Sequence, residues 1–522
     1  MSGQSRFADL EPLLERVSKP IQYVGGELNS TVKDWDCGGR GPGGEDLTTR
    51  WCLMYPDAYE VGVPNQGVMI LYEVLNERDD ALAERTYAVW PDMEALMREH
   101  EVPQLSVDGH RAVRDFDVFG LSFSTELGYT NMLTALDLAG IPLHAADRTD
   151  DDPIVLIGGH ASFNPEPVAD FIDAAIVGDG EEAVLAATDI IGAWKAQGSP
   201  GGRTELLRRL AETGGVYVPA FYDVSYLPDG RIQRVAPAES GIPWRVAKHT
   251  VMDLDEWPYP KKPLVPLAES VHERMSVEIF RGCTRGCRFC QAGMITRPVR
   301  ERSITGIGEM VEAGLQATGF EEVGLLSLSS ADHSEIAEVT KGLADRYEGT
   351  NTGLSLPSTR VDAFNIDLAN ELTRNGRRSG LTFAPEGVRA DPQGHQQDGH
   401  RGRPHQDRLR RLRRRLAPGE AVLHVRPADG DRRGRPADRR GRQARHRDRS
   451  SGGRAQRHPL HRLHRRLRAQ AAHPSSGPAS SRPRRPTPAW PSCARRSAPT
   501  SATGAPSASA TTTASPASSR AC

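Results

Sequence analysis

The sequence predicts an α/β protein in which a doubly wound domain precedes a partial (β/α) barrel, truncated after about four strands and followed by a disordered Arg-rich tail. Residues 50–190 alternate short apolar strands with helical patterns, as in a parallel sheet covered by helices. A second alternation begins at Ser276 and gives four βα-type units in about 110 residues. Apolar periodicity then stops, and Arg becomes abundant.

These changes in pattern divide the chain into five segments. They are a leader (1–48), an α/β domain (49–195), a connector (196–268), the barrel segment (269–387) and a tail (388–522). Within the connector, "GVYVPAFYDVSYLPDGRIQRV" is typical of a small hairpin with its turn at "PDG".

The α/β domain contains four predicted strands, which end in turn residues: Trp51–Pro56, Phe116–Ser124, Pro153–Gly159 and Ala174–Gly180. The segments "QGVMILYEVLNE" and "YTNMLTALDLAG" have apolar residues at helical spacing. Ligands of such sheets bind outside the carboxyl ends of the strands. The expected ligand positions are therefore Asp57–Gly62, Ser122–Glu126, Gly158–His160 and Gly178–Glu182. We interpret His160 as a hydrogen-bonded loop residue, and Glu181 and Glu182 as a solvated helix start.

The barrel segment begins with the strand "SVEIF" and a cysteine-rich loop. The helix "SITGIGEMVEAGLQATG" has Ser303 as its expected N-cap. The strands "EVGLLSLSS", "GLSLPS" and "GLTFAPE" follow, separated by the helices "HSEIAEVTKGLADRY" and "DAFNIDLANELTRNG". Since barrel chemistry lies at the carboxyl ends of strands, the cysteine-rich loop is where a site is expected.

Composition indicates a cytoplasmic protein without a membrane partner. No apolar run reaches the roughly 18–20 residues that span a bilayer. The start "MSGQSRFADLEPLLERVSKP" lacks the features of a secretory signal. In the cytoplasm thiols stay reduced, so clustered cysteines indicate metal binding or catalysis.

The stretch "RGCTRGCRFC" holds Cys283, Cys287 and Cys290, three of the seven cysteines of the chain. Three thiolates spaced C-x3-C-x2-C suit a [4Fe-4S] cluster with one iron left open, whereas four would close the cluster for electron transfer. An open position lets a second molecule coordinate, as in catalytic zinc sites. The alternatives are a zinc site completed by a distant residue such as His272, or unrelated thiols.

The motif, with Phe289 before its last cysteine and a barrel strand before it, resembles that of the radical S-adenosylmethionine (radical SAM) superfamily. The stretches "FRGCTRGCRFCQAGMITRPVRERS" and "LTFAPEG" resemble a subgroup with a cobalamin-binding-like, Rossmann-like N-terminal domain. The resemblance covers roughly residues 15–387. It implies that SAM chelates the open iron, and that an electron from the cluster cleaves it to methionine and a 5′-deoxyadenosyl radical. It also implies a reducing partner such as flavodoxin or ferredoxin.

The resemblance further assigns roles, although it leaves the residues that act on the substrate unknown. Cys283, Cys287 and Cys290 would bind the cluster. Phe289 would pack near the adenine, and Glu386 would bind the ribose hydroxyls. Arg360 is a candidate for the SAM carboxylate, which a guanidinium can grip with two hydrogen bonds; the alternative is a surface ion pair. Relatives often carry Gly-Gly-Glu after the second strand, where this chain has "SLSSAD" with Ser329, Ser330 and Asp332 as weak substitutes.

Cobalamin is implied less directly. Cobalamin domains with a histidine ligand carry Asp-x-His-x-x-Gly after the first strand. Here that place reads "DAYEVG", so Asp57 and Gly62 match, while Tyr59 replaces the histidine. A phenol is a poor cobalt ligand, so a bound cobalamin would lack that lower ligand. Alternatively the domain recruits substrate or serves as a scaffold without the cofactor.

The near-neutral net charge is the sum of a long acidic segment and a shorter basic segment. From Asp391 to Cys522 there are 30 Arg, 8 Asp and Glu and no Lys, whereas residues 1–390 hold 36 Lys and Arg against 60 Asp and Glu. The tail also lacks Ile, Met, Phe and Tyr, so it cannot build a core and is expected to be disordered. A basic arm that binds nucleic acid is one interpretation.

The other interpretation is a one-base frameshift near Gly387. Reading "GHQQDGHRGRPH" one base out of frame can give "VINKMVTEDDLI". The same shift turns "RLRRLRRRLAPGEAVLHVRPADGD" into "VSAAYAAGWRQVKLYFMCGLPTET", which has a strand-like run and a Gly-Leu-Pro turn.

The sequence as a whole therefore predicts a radical SAM enzyme that abstracts hydrogen from, or transfers a methyl or methylthio group to, an unknown substrate, for which nucleic acid is one possibility. The alternatives are an inactive frameshifted product and a nucleic-acid-binding protein.

Overall fold

We analysed a computed structural model of the 522-residue chain. The structure describes residues 3–36, 48–360, 363, 366–375, 381–384 and 421–422. All of them lie in one compact unit, Met1–Gln470. Glu386 and nearly all of the Arg-rich tail lie outside the described residues.

The N-terminal domain alternates strands and helices. In chain order these are α1 (Phe7–Leu14), β1 (Thr49–Tyr55), α2 (Tyr59–Gly62), α3 (Gln66–Asn76), β2 (Ala81–Tyr87), α4 (Pro91–Glu99), β3 (Val118–Ser122), α5 (Tyr129–Ala139), β4 (Ile154–Gly158), β5 (Ala174–Ile176), α6 (Glu181–Ala196), α7 (Gly202–Glu212) and β6 (Val216–Tyr217).

These strands form one six-stranded sheet in the order β2-β1-β3-β4-β5-β6. The first five strands are parallel, and β6 pairs antiparallel with β5. The strand order reverses between β1 and β3, which is the topological switch point where sheets of this kind bind ligands. The doubly wound fold class that the sequence predicts is confirmed.

Alternating residues of β1 point into two separate cores. Trp51 and Leu53 belong to the core beneath α3 and α6, whereas Cys52 and Met54 belong to the core beneath α5. A strand buried on both faces is nearly all apolar, which is why "WCLMY" was recognisable from sequence. Asn65 caps α3 by accepting a hydrogen bond from the Val68 amide, and Gly140 ends α5 in the left-handed conformation.

The connector forms the predicted hairpin of β7 (Tyr222–Tyr226) and β8 (Ile232–Pro237). The barrel segment follows with β9 (Met275–Glu278), β10 (Phe280–Arg281), α8 (Ala292–Ile295), β11 (Arg300–Glu301), α9 (Ile304–Thr318), β12 (Glu322–Leu326), α10 (Ile336–Arg346), β13 (Gly353–Ser355), β14 (Thr359–Arg360), α11 (Ile366–Leu372), β15 (Leu381–Ala384) and β16 (Ala421–Val422).

Strands β9, β12 and β13 are neighbours in a parallel sheet, as the first three strands of a barrel would be. Met275 and Val277 pack with Ile307 and Val311 of α9. Ser303 caps that helix as predicted, since its hydroxyl accepts a hydrogen bond from the Gly306 amide.

Two features differ from the sequence-based picture. Strand β2 was not predicted, because its sequence "ALAERTY" contains charged residues that are nevertheless buried. The expected continuous wall of four strands is also divided, since β15 pairs with β14 and β16 rather than with β13. Pro357 lies between β13 and β14, and a proline has no amide hydrogen to continue a ladder.

Within the described part of the chain, none of the helices is long and apolar enough to cross a bilayer.

Candidate active site

The three clustered cysteines lie on one loop at the carboxyl end of the first barrel strand. We call residues 282–299 the cysteine loop. It begins after β10 and ends at β11, and these two short strands pair antiparallel at the base of the loop. The sequence predicted this placement after the first strand of the barrel.

Glycines shape the cysteine loop. Gly282 has a φ of 97°, and a Cβ at this position would lie 2.6 Å from the Pro298 carbonyl oxygen. Gly293 lies against two of the cysteines, because a Cβ there would be 3.6 Å from Cys290 Sγ and 3.7 Å from Cys283 Cβ. The Gly293 amide donates a 3.3 Å hydrogen bond to Cys290 Sγ.

An arginine organises the backbone of the same loop. Arg297 donates to the carbonyl oxygens of Cys283 and Arg285, each at 3.1 Å, and to that of Thr284 at 3.5 Å. These contacts link the side chain of Arg297 to three consecutive carbonyl groups in the first half of the loop.

The donor set fits an iron–sulfur cluster. Among the described cysteines none is in a disulfide, and an amide hydrogen bond to a thiolate sulfur is a usual feature of cluster sites. Within the described ranges no three His, Cys, Asp or Glu side chains, the clustered cysteines included, are grouped closely enough to hold a metal ion as they stand. The zinc alternative therefore stays a prediction. His272 is exposed and lies in the wall of a cavity away from the thiols.

The residues expected near SAM differ in their exposure and in their hydrogen bonds. Phe289 is 71% exposed, so its ring is open to a ligand. Ser329 is buried and donates a 2.7 Å hydrogen bond to Asp332, which also accepts one from Arg285 of the cysteine loop at 2.9 Å. The "SLSSAD" segment is thus joined to the cysteine loop, and its role in SAM binding stays a prediction. The backbone of Arg360 lies in β14, beside β15.

The sheet of the N-terminal domain ends in a cavity of about 250 Å³ that we call the sheet-edge cavity. Its floor is apolar and includes Leu53, Leu121, Leu156 and Ile176 from four adjacent strands. Its opposite wall includes Arg281, Ile295, Thr296 and Arg300, which belong to the cysteine loop and its base strands. The cavity therefore lies between the switch point of the sheet and the cysteine loop.

A larger cavity of about 880 Å³, here the barrel-side cavity, adjoins the first. It extends over Ser276, Leu326 and Ser355 of the barrel strands. The two cavities share Gln66, Gly67, Ser122, Gly159 and His160 as lining residues. All four expected ligand positions thus contribute to the cavities, Asp57–Gly62 through Val61 alone.

The residues that line both cavities include polar side chains for which the described part of the chain supplies no hydrogen-bond partner. Gln66 Oε1 is buried and accepts no hydrogen bond, and the side chains of Ser122 and His160 make none with the described residues. The interpretation of His160 as a hydrogen-bonded loop residue stays a prediction. Burial, followed by the nearby Arg281 guanidinium, lowers the pKa of His160, which favours the neutral imidazole.

The first expected position, Asp57–Gly62, contributes only one residue to the cavities. Asp57 is exposed, and its carboxylate accepts the amide of Ala58. Gly62 packs against the Tyr87 ring, and Tyr59 stacks edge-on against the same ring. Of this turn only Val61 lines the barrel-side cavity. The tyrosine is held by apolar packing, away from the sheet-edge cavity.

A buried ionic network at the base of the cysteine loop was missed by sequence reasoning. Arg281 contacts Glu278 at 2.9 Å, Glu181 at 2.7 Å and Asp179 at 3.0 Å. Glu181 is only 4% exposed, so its interpretation as part of a solvated helix start is wrong, although Glu182 is exposed. The available signal was Glu278, a charged residue inside the otherwise apolar strand "SVEIF".

Two carboxylates of the network, those of Glu278 and Asp179, have lowered pKa values. Burial acts to raise the pKa of Glu278, but the Arg281 guanidinium outweighs it and holds that pKa below the ordinary range. Asp179 behaves alike, because Arg281 and Arg300 overcome the effect of burial and lower its pKa.

Comparison with known proteins gives matches along most of the described chain. Residues 67–219 match the family model described as "Radical SAM proteins, N-terminal", and residues 277–416 match that of the "Radical SAM superfamily". The second match extends past Gly387, where the frameshift was placed.

One relative is an uncharacterized protein, MJ0966, of Methanocaldococcus jannaschii, which is 23% identical over 340 residues, or 64% of this chain. The chain spans 60% of the length of that protein. Two solved structures of the radical S-adenosylmethionine methyltransferase TsrM from Kitasatospora setae are also similar. One holds tryptophan and a SAM analogue, with 15% identity and a TM-score of 0.42 over 70% of this chain and 66% of that one. The other holds cobalamin and a [4Fe-4S] cluster, with 14% identity and a TM-score of 0.44 over 70% and 67%.

Proposed function

We propose a function from one premise, that this chain belongs to the radical SAM superfamily. The activity that we propose for the chain is the reductive cleavage of SAM. The chain would use this cleavage to abstract hydrogen from a substrate, or to transfer a methyl or methylthio group to that substrate. Cys283, Cys287 and Cys290 hold a [4Fe-4S] cluster that leaves one iron for SAM. The observation that carries the proposal is the position of these three thiols on one loop at the carboxyl end of β9.

The surrounding residues prepare this loop for its ligands. When bound, a reduced [4Fe-4S] cluster supplies the electron that cleaves the sulfonium of SAM. The Gly293 amide withdraws charge from Cys290 Sγ through its hydrogen bond, and such bonds help to set cluster potentials. Phe289 offers an exposed ring to the adenine, and Ser329, Arg360 and Glu386 complete the proposed SAM site. Exposed Arg288 suits an acidic electron donor such as flavodoxin or ferredoxin.

The direct test is anaerobic reconstitution of the full chain with iron and sulfide, followed by reduction in the presence of SAM. We expect a brown, reducible cluster and release of 5′-deoxyadenosine and methionine, measured by mass spectrometry. Cys287→Ala should lose both, whereas Cys52→Ala, which removes a thiol buried in β1, should keep both. A wild-type chain that takes up no cluster and releases no 5′-deoxyadenosine would refute the proposal.

Cobalamin is a second proposed ligand, supported by the unpartnered polar groups at the mouth of the sheet-edge cavity. With about 250 Å³ this cavity is near the lower limit of ligand pockets, so it accommodates an aromatic base and not a corrin ring. Gln66, Ser122 and His160 would bind polar groups at its mouth. Tyr59 would supply no lower ligand, because it packs against Tyr87.

Absorption spectroscopy during titration with hydroxocobalamin tests this ligand without the cluster. We expect saturable binding to the apo chain that Leu156→Trp, which fills the apolar floor, abolishes. The control is Leu343→Trp, which alters the separate core of the barrel segment. Equal binding by both variants, or none by the wild type, would leave the domain as a scaffold or a substrate-recruiting module.

A further inference from the structure

Two arginines flank the cysteine loop, and both bind acidic side chains of the N-terminal domain. Arg281 ends β10 and Arg300 begins β11, and the two are paired in the strand register. Asp179 and Glu181 lie after β5 and at the start of α6, in a domain that contributes no residue to the cysteine loop. The base of the loop is therefore attached to the other domain at both ends.

The contacts are short and largely shielded from water. Arg281 binds Glu181 at 2.7 Å and Asp179 at 3.0 Å, and its side chain is 14% exposed. Arg300 pairs with the second carboxylate oxygen of Asp179 and donates to the Val251 carbonyl oxygen at 2.7 Å. Asp179 thus bridges the two arginines, and removing it would leave both guanidinium groups with less compensating negative charge.

We propose that Asp179 and Glu181 hold the two ends of the cysteine loop through Arg281 and Arg300. They thereby fix the loop and set the electrostatic potential at its thiols. Both are positioning residues, since they act through Arg281 and Arg300. The inference rests on the proposed function, in which the three thiols bind that cluster.

The charges determine the direction in which the midpoint potential of the cluster should shift when a carboxylate is removed. Replacing Asp179 or Glu181 by its amide leaves a guanidinium less compensated near the thiols. Additional positive potential favours the more negative, reduced state of a cluster, because charge interactions persist at reduced dielectric. The midpoint potential should therefore rise in Asp179→Asn and Glu181→Gln. Arg281→Lys retains the charge but loses the guanidinium fork, so it should loosen the loop and leave the potential close to that of the wild type.

Two measurements on the full chain test the proposal. Hydrogen exchange of peptides that span residues 282–299 is followed in the apo protein, and the potential is followed by an EPR-monitored redox titration after reconstitution. Asp173→Asn is the matched control. Asp173 is 4% exposed and binds Arg148 at 2.8 Å and Arg203 at 2.7 Å, both in the N-terminal domain.

We expect several-fold faster exchange in the cysteine loop of Asp179→Asn and Glu181→Gln, together with the raised potential. Asp173→Asn should show neither change. Loop exchange and potential that stay at wild-type values, or that change equally in Asp173→Asn, would overturn the inference. If the wild type takes up no cluster, the proposed function fails, and the exchange data alone then decide whether these carboxylates hold the loop.

Discussion

Gly282, the residue before the first clustered cysteine, tests how strictly the backbone of the loop is shaped. Its φ of 97° is unfavourable for a residue with a side chain, and a Cβ would meet the Pro298 carbonyl oxygen. Gly282→Ala should therefore destabilise the loop by about 1–3 kcal/mol and lower the iron content after reconstitution. Gly286→Ala, in the same loop but with open space around its Cβ, should retain the iron content of the wild type. Equal iron loss in both variants would contradict this account.

His160 gives a pH-dependent prediction. Its pKa is lowered by burial and by Arg281, so the unfolded chain binds a proton before the folded one as pH falls. The resulting stabilisation is present above the unfolded pKa of about 6.5 and is lost as pH decreases toward the folded pKa. His160→Gln should therefore reduce the drop in Tm between pH 7 and pH 5, measured by calorimetry. The control is His100→Gln, which replaces an exposed histidine. If the fall in Tm between pH 7 and pH 5 is reduced equally in both variants, burial at position 160 is not the cause.

At the scale of elements, β2 shows why a sequence pattern can conceal a strand. Its Arg85 is fully buried and pairs with Glu27 at 3.0 Å and Asp108 at 2.6 Å. Arg85→Met should cost about 3–5 kcal/mol, because two buried carboxylates lose their partner. The partly exposed Arg78 pairs with Asp80 and Asp189 in the same domain, so Arg78→Met should cost about 0–1 kcal/mol. Urea unfolding of both variants checks the difference, and comparable losses would show that the β2 network is not important for stability.

The elements that sequence predicted and those it missed differ in what they bury. Strand β1 and helix α9 bury apolar residues with regular spacing, and α9 begins at a serine that caps it. The three cysteines were found because their spacing is itself the signal. Sequence patterns did not reveal the burial of Arg281, Glu181 and the residues of β2. A charged side chain is predicted to be exposed to solvent unless its ion-pair partner is known. Those partners lie far away in sequence, as Arg281 and Glu181 do, so only the folded chain brings them together.

At the scale of the whole molecule, the described parts of the two domains meet around their cavities. The sheet of the first domain ends at the sheet-edge cavity, and the base of the cysteine loop closes it from the other side. Arg281, which supports the cysteine loop, therefore also lines the cavity at the end of the sheet.

The reading frame after Gly387 determines whether this arrangement is completed as a barrel. The strand-like run "VKLYFM", recovered by a one-base shift, falls on residues 419–424, and the structure pairs Ala421–Val422 in parallel with β15. The frameshift stays a prediction, as does the basic arm, which truncation after residue 390 would exclude if nucleic-acid affinity were unchanged.

We expect a chain with the frame restored near Gly387 to bind as much iron as the unaltered chain, because the cysteine loop and its supporting contacts precede that position. Its SAM cleavage should be at least about tenfold faster, equivalent to about 1.4 kcal/mol of barrier, since additional barrel strands would enclose the SAM site. The rate of 5′-deoxyadenosine release by the two chains, normalised to iron content, is the measurement. Equal rates would show that the chain with its present Arg-rich tail suffices for SAM cleavage. The frameshift would then have no consequence for that reaction.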